Sequence, residues 1–317
     1  MKRRILPGTE DSLSVVGFGC WAMGKTWWGD DVEDAVSIRA VHAALDAGIN
    51  WFDTAPLYGH GHADQVLAKA LAGREAFIAT KVGVRWDGEH AQSDLRPQRL
   101  RADLEASLTR LDRDHIDLLQ VHWPCDLDTP LEESFPELAK LQQEGLIRHL
   151  GVCNYDAKRL HQIRKITPIV SLQTPWSMVR REFEETLHPA CATLGLGVLA
   201  YEPLCRGLLT GKYRSRPHFP DTDQRSWDER FQGPAFFHVQ RLLRDLDSVS
   251  KRSGLPLSSL ALGWLCSRSP RVFAIAGAKR PEQVWENVQF SEQLHRKKLW
   301  EIVDKILGII GGTPRFH

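Results

Sequence analysis

A chain of 317 residues that is 42% apolar and 26% charged can bury one large core, and its formal net charge of +1 leaves no electrostatic footprint for nucleic acid or an anionic membrane. The basic start Met1-Lys2-Arg3-Arg4 runs into Pro7 and Gly8 without an apolar h-region, so it does not read as a signal peptide, and no stretch approaches the roughly 20 apolar residues of a membrane span. Six cysteines without a C-x-x-C pair suit a reducing compartment, which points to a cytoplasmic protein with small-molecule partners, most simply a monomer.

Strand-like and helix-like runs then alternate. The first apolar run, 15–19, precedes helical spacing over 31–48 (Val36, Ala40, Val41, Ala44, Leu45) that ends at Gly48, a residue suited to the position just past a helix. A strand through Asp53 follows, then helix 63–72, strand 77–82, helix 99–111, strand 116–122, helix 131–144 and strand 147–153. The alternation continues with helix 157–166, strand 169–173, helix 182–194 and strand 197–201. It then loosens into a stretch rich in Pro, Arg and aromatics, 206–237, before two more helices and the last strand, 272–276. Eight strands alternating with helices predict an α/β fold, a (β/α)8 TIM barrel, as a single domain over 1–317. The 206–237 stretch is expected to be a flap on the C-terminal rim, where the long loops of such a barrel gather.

That rim collects chemistry. Asp53, Tyr58, Lys81 and His122 each lie at or just past the C-terminal end of a strand-like run. A phenol can donate a proton to a carbonyl oxygen, a neighbouring ammonium favours the phenolate and lowers the phenol's pKa, a carboxylate holds the ammonium, and an imidazole orients the substrate. Taken singly, each is read as easily as a core tyrosine or a structural Asp–Lys pair; together at consecutive strand ends they predict a proton relay.

These motifs resemble the aldo-keto reductase superfamily from Gly17 to about Gln289: Asp53-Thr54-Ala55-Pro56-Leu57-Tyr58-Gly59, Thr80-Lys81-Val82, His122-Trp123-Pro124, Gly151-Val152-Cys153-Asn154 and Gly277-Ala278-Lys279-Arg280-Pro281-Glu282-Gln283. The resemblance implies that Asp53, Tyr58, Lys81 and His122 are the catalytic tetrad and that NADP(H) is the cofactor. It implies that Cys153, Asn154 and Gln173 hold the nicotinamide carboxamide, that Tyr201 stacks on the ring, and that the backbone from Glu202 through Leu204 and Gly207 to Leu209 follows the pyrophosphate. Lys279 and Arg280, with Gly277 before them and the N–H groups of a helix opened by Pro281, are expected to bind a 2′-phosphate, and Gln283, Glu286 and Asn287 to face the adenine. Two departures from the family pattern stand out: Cys153 and Glu202 each occupy a position where serine is common.

Trp21, Trp28, Trp86 and Trp123 are expected to wall the substrate pocket, and Trp27 and Trp176 also lie near strand ends. His60 and His62 flank Gly61 with no further ligand at suitable spacing, so no metal is expected. The function predicted is NADPH-dependent reduction of an aldehyde or ketone, or the reverse oxidation of a polyol or sugar, with Tyr58 as proton donor. The competing class is a nicotinamide-binding redox-sensing regulatory subunit with little turnover.

Overall fold

The computed structural model describes residues 1–28, 32–87, 90–125, 127 and 129–309. Near-continuous apolar strands demand cover on both faces, and here eight of them pair in parallel until the sheet closes on itself. An antiparallel hairpin, β1 (Arg3–Ile5) and β2 (Ser12–Ser14), precedes the barrel. The barrel strands β3 (Val16–Gly19), β4 (Trp51–Asp53) and β5 (Phe77–Val82) come next, and a second hairpin, β6 (Val84–Asp87) and β7 (His90–Ser93), leaves the rim after β5. The barrel continues through β8 (Ile116–Val121), β9 (Ile147–Cys153), β10 (Ser171–Pro175) and β11 (Gly197–Tyr201) to β12 (Val272–Gly277), which pairs back onto β3.

Helices α1 (Asp34–Asp46), α2 (His62–Ala70), α3 (Pro97–Leu111), α4 (Leu131–Gln143) and α5 (Ala157–Ile166) return the chain from one barrel strand to the next. Two short helices, α6 (Glu182–Thr186) and α7 (His188–Leu194), follow β10. Then α8 (Gly233–Ser253) and α9 (Leu257–Ser267) separate β11 from β12, and α10 (Pro281–Val288) and α11 (Lys297–Ile309) close the chain. Among the described residues no helix is long and apolar enough to cross a membrane.

The inside of the barrel is filled by its own cluster of side chains, distinct from the larger core between sheet and helices. Trp51, Phe77, Leu118, Leu199 and Phe273 pack there with Leu6 and Leu13 from either side of the hairpin turn. This packing sets a backbone requirement: a Cβ on Gly17 would lie 2.2 Å from the Trp51 ring, so only glycine lets β3 pass the buried indole.

Where boundaries differ from expectation, a local cause is visible. The first helix begins at Asp34, and Asp31 lies outside the described residues. The predicted helix 182–194 is broken at Leu187, because Pro189 has no amide hydrogen to continue the ladder and instead sits in the first turn of α7. The predicted strand 169–173 starts at Ser171 and runs on to Pro175, carried by its ladder with β11 as far as Tyr201. The stretch 206–237 ends inside α8, whose first turn takes in Gly233 to Phe237, and both antiparallel hairpins escape the sequence reading.

Candidate active site

Side chains along a strand alternate between the barrel interior and the helix layer. The interior changes character on the way up. Trp51, Ala79, Leu118 and Leu199 are its apolar floor, and one step further along the same strands come Asp53, Lys81, Gln120 and Tyr201. His122 follows at the same parity as Gln120. A polar layer therefore sits on an apolar one at the C-terminal mouth.

Lys81 Nζ is the hub of this layer. It donates to Asp53 Oδ1 at 2.6 Å, to the Thr54 carbonyl at 2.9 Å and to Tyr58 Oη at 3.1 Å. Lys81 is only 1% exposed and Asp53 2%, so the pair is fully desolvated. Tyr58 comes not from a strand but from the loop after β4. Gly59, at φ 61°, presses against Gly24, where a Cβ would meet the Gly24 carbonyl oxygen at 2.2 Å, and this close approach fixes the turn that carries the phenol. The His122 ring lies edge-on to Tyr58 with centroids 6.2 Å apart.

The electrostatics correct one expectation. Lys81 does pull the Tyr58 phenol toward ionisation, but burial is the larger influence and leaves its pKa above the ordinary value. Burial first, and the Lys81 ammonium second, hold His122 well below the usual imidazole range. Both rings are thus neutral near pH 7, and each carries a proton to donate. Lys81 itself is raised, because Asp53 and the phenol outweigh its burial.

Sequence reasoning missed Gln120. Its Nε2 donates to Asp53 Oδ2 at 3.2 Å, and Gln173 Nε2 donates to the same oxygen at 2.7 Å and to Gln120 Oε1 at 3.2 Å. Cys153 Sγ donates to Gln120 Oε1 at 3.7 Å. The available signal was a lone amide in an apolar strand at the parity of His122. Asn154, in the left-handed conformation at φ 63°, donates through Nδ2 to the His122 carbonyl and accepts from Tyr201 Oη.

Of the expected pocket walls, Trp21 lies 4.9 Å from the Tyr58 ring, Trp123 packs on His122, and Trp86 contacts Trp27 and His60. Trp27 packs against both Trp21 and Trp86. Trp21, Trp27, Leu57 and Tyr58 enclose a cavity of about 10 Å³, barely the room one water needs. Trp28 turns away toward the last strand, where Lys279 Nζ donates to its carbonyl at 3.1 Å and Arg225 stacks on its ring. Trp176 is a core residue packed on Phe183 and Trp264. His62 bonds Asp34, and among the described residues no group of three or more His, Cys, Asp or Glu side chains is placed to hold a metal.

The sequence model of the aldo/keto reductase family matches residues 15–307. The chain belongs to the aldo/keto reductase family. It is 36% identical to "Aldo-keto reductase YhdN" of Bacillus subtilis (strain 168), covering 90% of this chain and 87% of that one. It is 31% identical to the NADH-specific methylglyoxal reductase of Escherichia coli (strain K12), over 91% of this chain and 93% of that enzyme. The structure of a glycerol dehydrogenase from Gluconobacter oxydans superposes with a TM-score of 0.87 at 37% identity, covering 98% of this chain and 97% of that one. This aldo-keto reductase is accordingly an oxidoreductase acting on carbonyl or CH–OH groups with a nicotinamide cofactor.

On the expected cofactor side of this aldo-keto reductase, several backbone donors are already engaged. Gly207 N and Leu209 N both donate to the Leu204 carbonyl, and the Leu209 side chain is buried in the core. Gln283 Oε1 folds back to accept from Lys279 N at 2.7 Å and Arg280 N at 3.1 Å, so the two N–H groups just before α10 are capped from within. Gly277 and the Arg280 side chain are exposed, whereas Asn287 is buried. Glu202 is paired with arginines. Burial pushes its carboxyl up, but Arg230 and Arg206 more than compensate and hold it below the usual range. Arg206 also reaches Asp228 at 3.0 Å, so this cluster fastens the 206–237 stretch to the end of β11.

The neutral His122 has a measurable consequence. The unfolded imidazole takes a proton below about pH 6.5 that the folded one refuses, so stability falls with acidification by up to about 1.4 kcal/mol per pH unit. His122→Gln removes that contribution. In urea unfolding at about pH 7.5 and about pH 5.5, the wild type should lose on the order of 1 kcal/mol more than the variant. Equal losses would contradict a neutral buried His122.

Proposed function

We propose that this aldo-keto reductase is an NADPH-dependent carbonyl reductase, located in the cytoplasm, in which Tyr58 protonates the carbonyl oxygen as it gains charge. The observation that carries this reading is Lys81 Nζ, which joins the Asp53 carboxylate to the Tyr58 hydroxyl in a desolvated mouth. Lys81 stabilises the phenolate left after transfer, Asp53 keeps the ammonium in place, and His122 donates its one N–H to the same oxygen, which orients the substrate. When bound, the dihydronicotinamide supplies the hydride. In the opposite direction a phenolate must accept the alcohol's proton, and the raised Tyr58 pKa makes oxidation favour alkaline pH. Names of relatives point to methylglyoxal and glycerol as the first substrates to assay. Trp21 and Trp27, which line a small cavity beside the phenol, would contact the substrate.

The residues present fit the cofactor. Gln173 is 3% exposed and its Oε1 accepts nothing from any described residue, which leaves an acceptor for a carboxamide NH2. Tyr201, at the end of β11 and tied to Asn154, would stack on the nicotinamide face. For the 2′-phosphate, Lys279 and the exposed Arg280 stand at the start of α10. Charge-assisted hydrogen bonds are worth about 1.5–3 kcal/mol each, so Lys279→Ala with Arg280→Ala should weaken NADPH at least about tenfold and NADH far less. Titration of both nucleotides by tryptophan quenching measures this. Equal losses, or a wild type that prefers NADH as the Escherichia coli relative's name states for that enzyme, would overturn the NADPH assignment.

A further inference from the structure

Gln120 is completely buried, and its side-chain hydrogen bonds to described residues lie within one polar network. Asp53 uses Oδ1 for Lys81, and its other oxygen accepts from both Gln120 and Gln173. Gln173 divides its NH2 between Asp53 and Gln120, while Gln120 Oε1 accepts from Gln173 and Cys153. This arrangement fixes which way each amide points. Turning Gln120 over would set its oxygen against the Asp53 carboxylate and its NH2 against that of Gln173. Turning Gln173 over would set its oxygen against both Asp53 Oδ2 and Gln120 Oε1.

We propose that Gln120 is a positioning residue. It locks the Gln173 amide with NH2 toward Asp53 and Oε1 toward the mouth, and so ties the cofactor's carboxamide anchor to the carboxylate of the proton relay. The proposal rests on the nicotinamide reading of Gln173 above. It also gives Cys153 a part: the thiol found where serine is common supplies a second donor to Gln120 Oε1, and burial keeps that thiol protonated. A buried glutamine that only filled space would make the same contacts, so the test must read orientation rather than packing.

The probes are NADP+ and its 3-acetylpyridine analogue, whose methyl ketone has no N–H to offer Gln173 Oε1. Both dissociation constants are measured on one preparation of the full chain, so their ratio does not depend on the fraction folded. The wild type should favour NADP+ by roughly three- to tenfold, the worth of one such hydrogen bond. Gln120→Met, similar in volume but without the amide, should bring the ratio close to one by weakening NADP+ while moving the analogue by less than about twofold. Gln120→Ala, which also lacks the amide and places no charge beside Asp53, should likewise bring the ratio close to one, and it serves if Gln120→Met folds poorly. A ratio unchanged in Gln120→Met, equal weakening of both nucleotides, or a wild type that binds the two alike would overturn the positioning role. A wild type that binds neither nucleotide would overturn the cofactor reading instead.

Discussion

Tyr58→Phe should lower the turnover of carbonyl reduction by about 10² to 10⁴, the range for loss of a positioned acid–base group. The substitution deletes one hydroxyl, which among the described residues accepts one hydrogen bond, from Lys81. Lys81 keeps Asp53 and the Thr54 carbonyl, so no charge is left without a partner and the fold should be nearly unaffected. The ring also keeps its contact with Trp21. Cofactor dissociation constants should therefore stay close to wild type while the turnover number falls, a loss confined to the chemical step. The comparison needs saturating nucleotide and a substrate for which chemistry is rate-limiting. Turnover near wild type under those conditions would remove Tyr58 as the proton donor and leave His122 as the group in contact with the oxygen.

Lys81→Met should cost both activity and stability. Without the ammonium, the buried Asp53 carboxylate keeps only the two amide donors on Oδ2, and breaking one side of a buried pair typically costs about 3–5 kcal/mol. Adding Asp53→Asn removes the stranded charge, so the double variant should recover much of that stability while remaining inactive. The pH dependence has a definite sign. Because Lys81 is raised above its ordinary 10.5, its contribution is complete below pH 10.5 and is lost only as pH climbs through the higher folded value. Above pH 10.5 the stability of the wild type should therefore fall more steeply with pH than that of Lys81→Met. If the single variant were as stable as the wild type near neutrality, Asp53 and Lys81 would not form a desolvated pair.

The barrel was legible because parallel strands buried on both faces must be nearly all apolar, and this makes runs such as Phe77-Ile78-Ala79-Thr80-Lys81 stand out from the amphipathic helices between them. Strand-end position and parity then brought Asp53, Lys81 and His122 to one mouth, where the structure gathers them with Tyr58. The hairpins β1–β2 and β6–β7 were not legible. Their strands are three or four residues long, and periodicity has little to work with over so short a run.

The sequence by itself determined the alternation, the barrel and the inward direction of the reactive side chains, since these follow from local periodicity and from the handedness of the connections. Tertiary structure alone decided what each side chain meets. Asp53 and Gln173 are 120 positions apart, and only closure of the barrel sets Gln173 Nε2 against Asp53 Oδ2. The same holds for Gln283 capping the N–H groups of Lys279 and Arg280, for Trp28 lying against Arg225 and Lys279, and for Glu202 pairing with Arg230. Direction along a strand is a property of the chain, whereas hydrogen-bond partners depend on strand stagger and loop docking, which involve the whole sheet at once. That difference also explains the Tyr58 phenol: its neighbour Lys81 was readable, but the burial that outweighs Lys81 comes from the packed mouth around it.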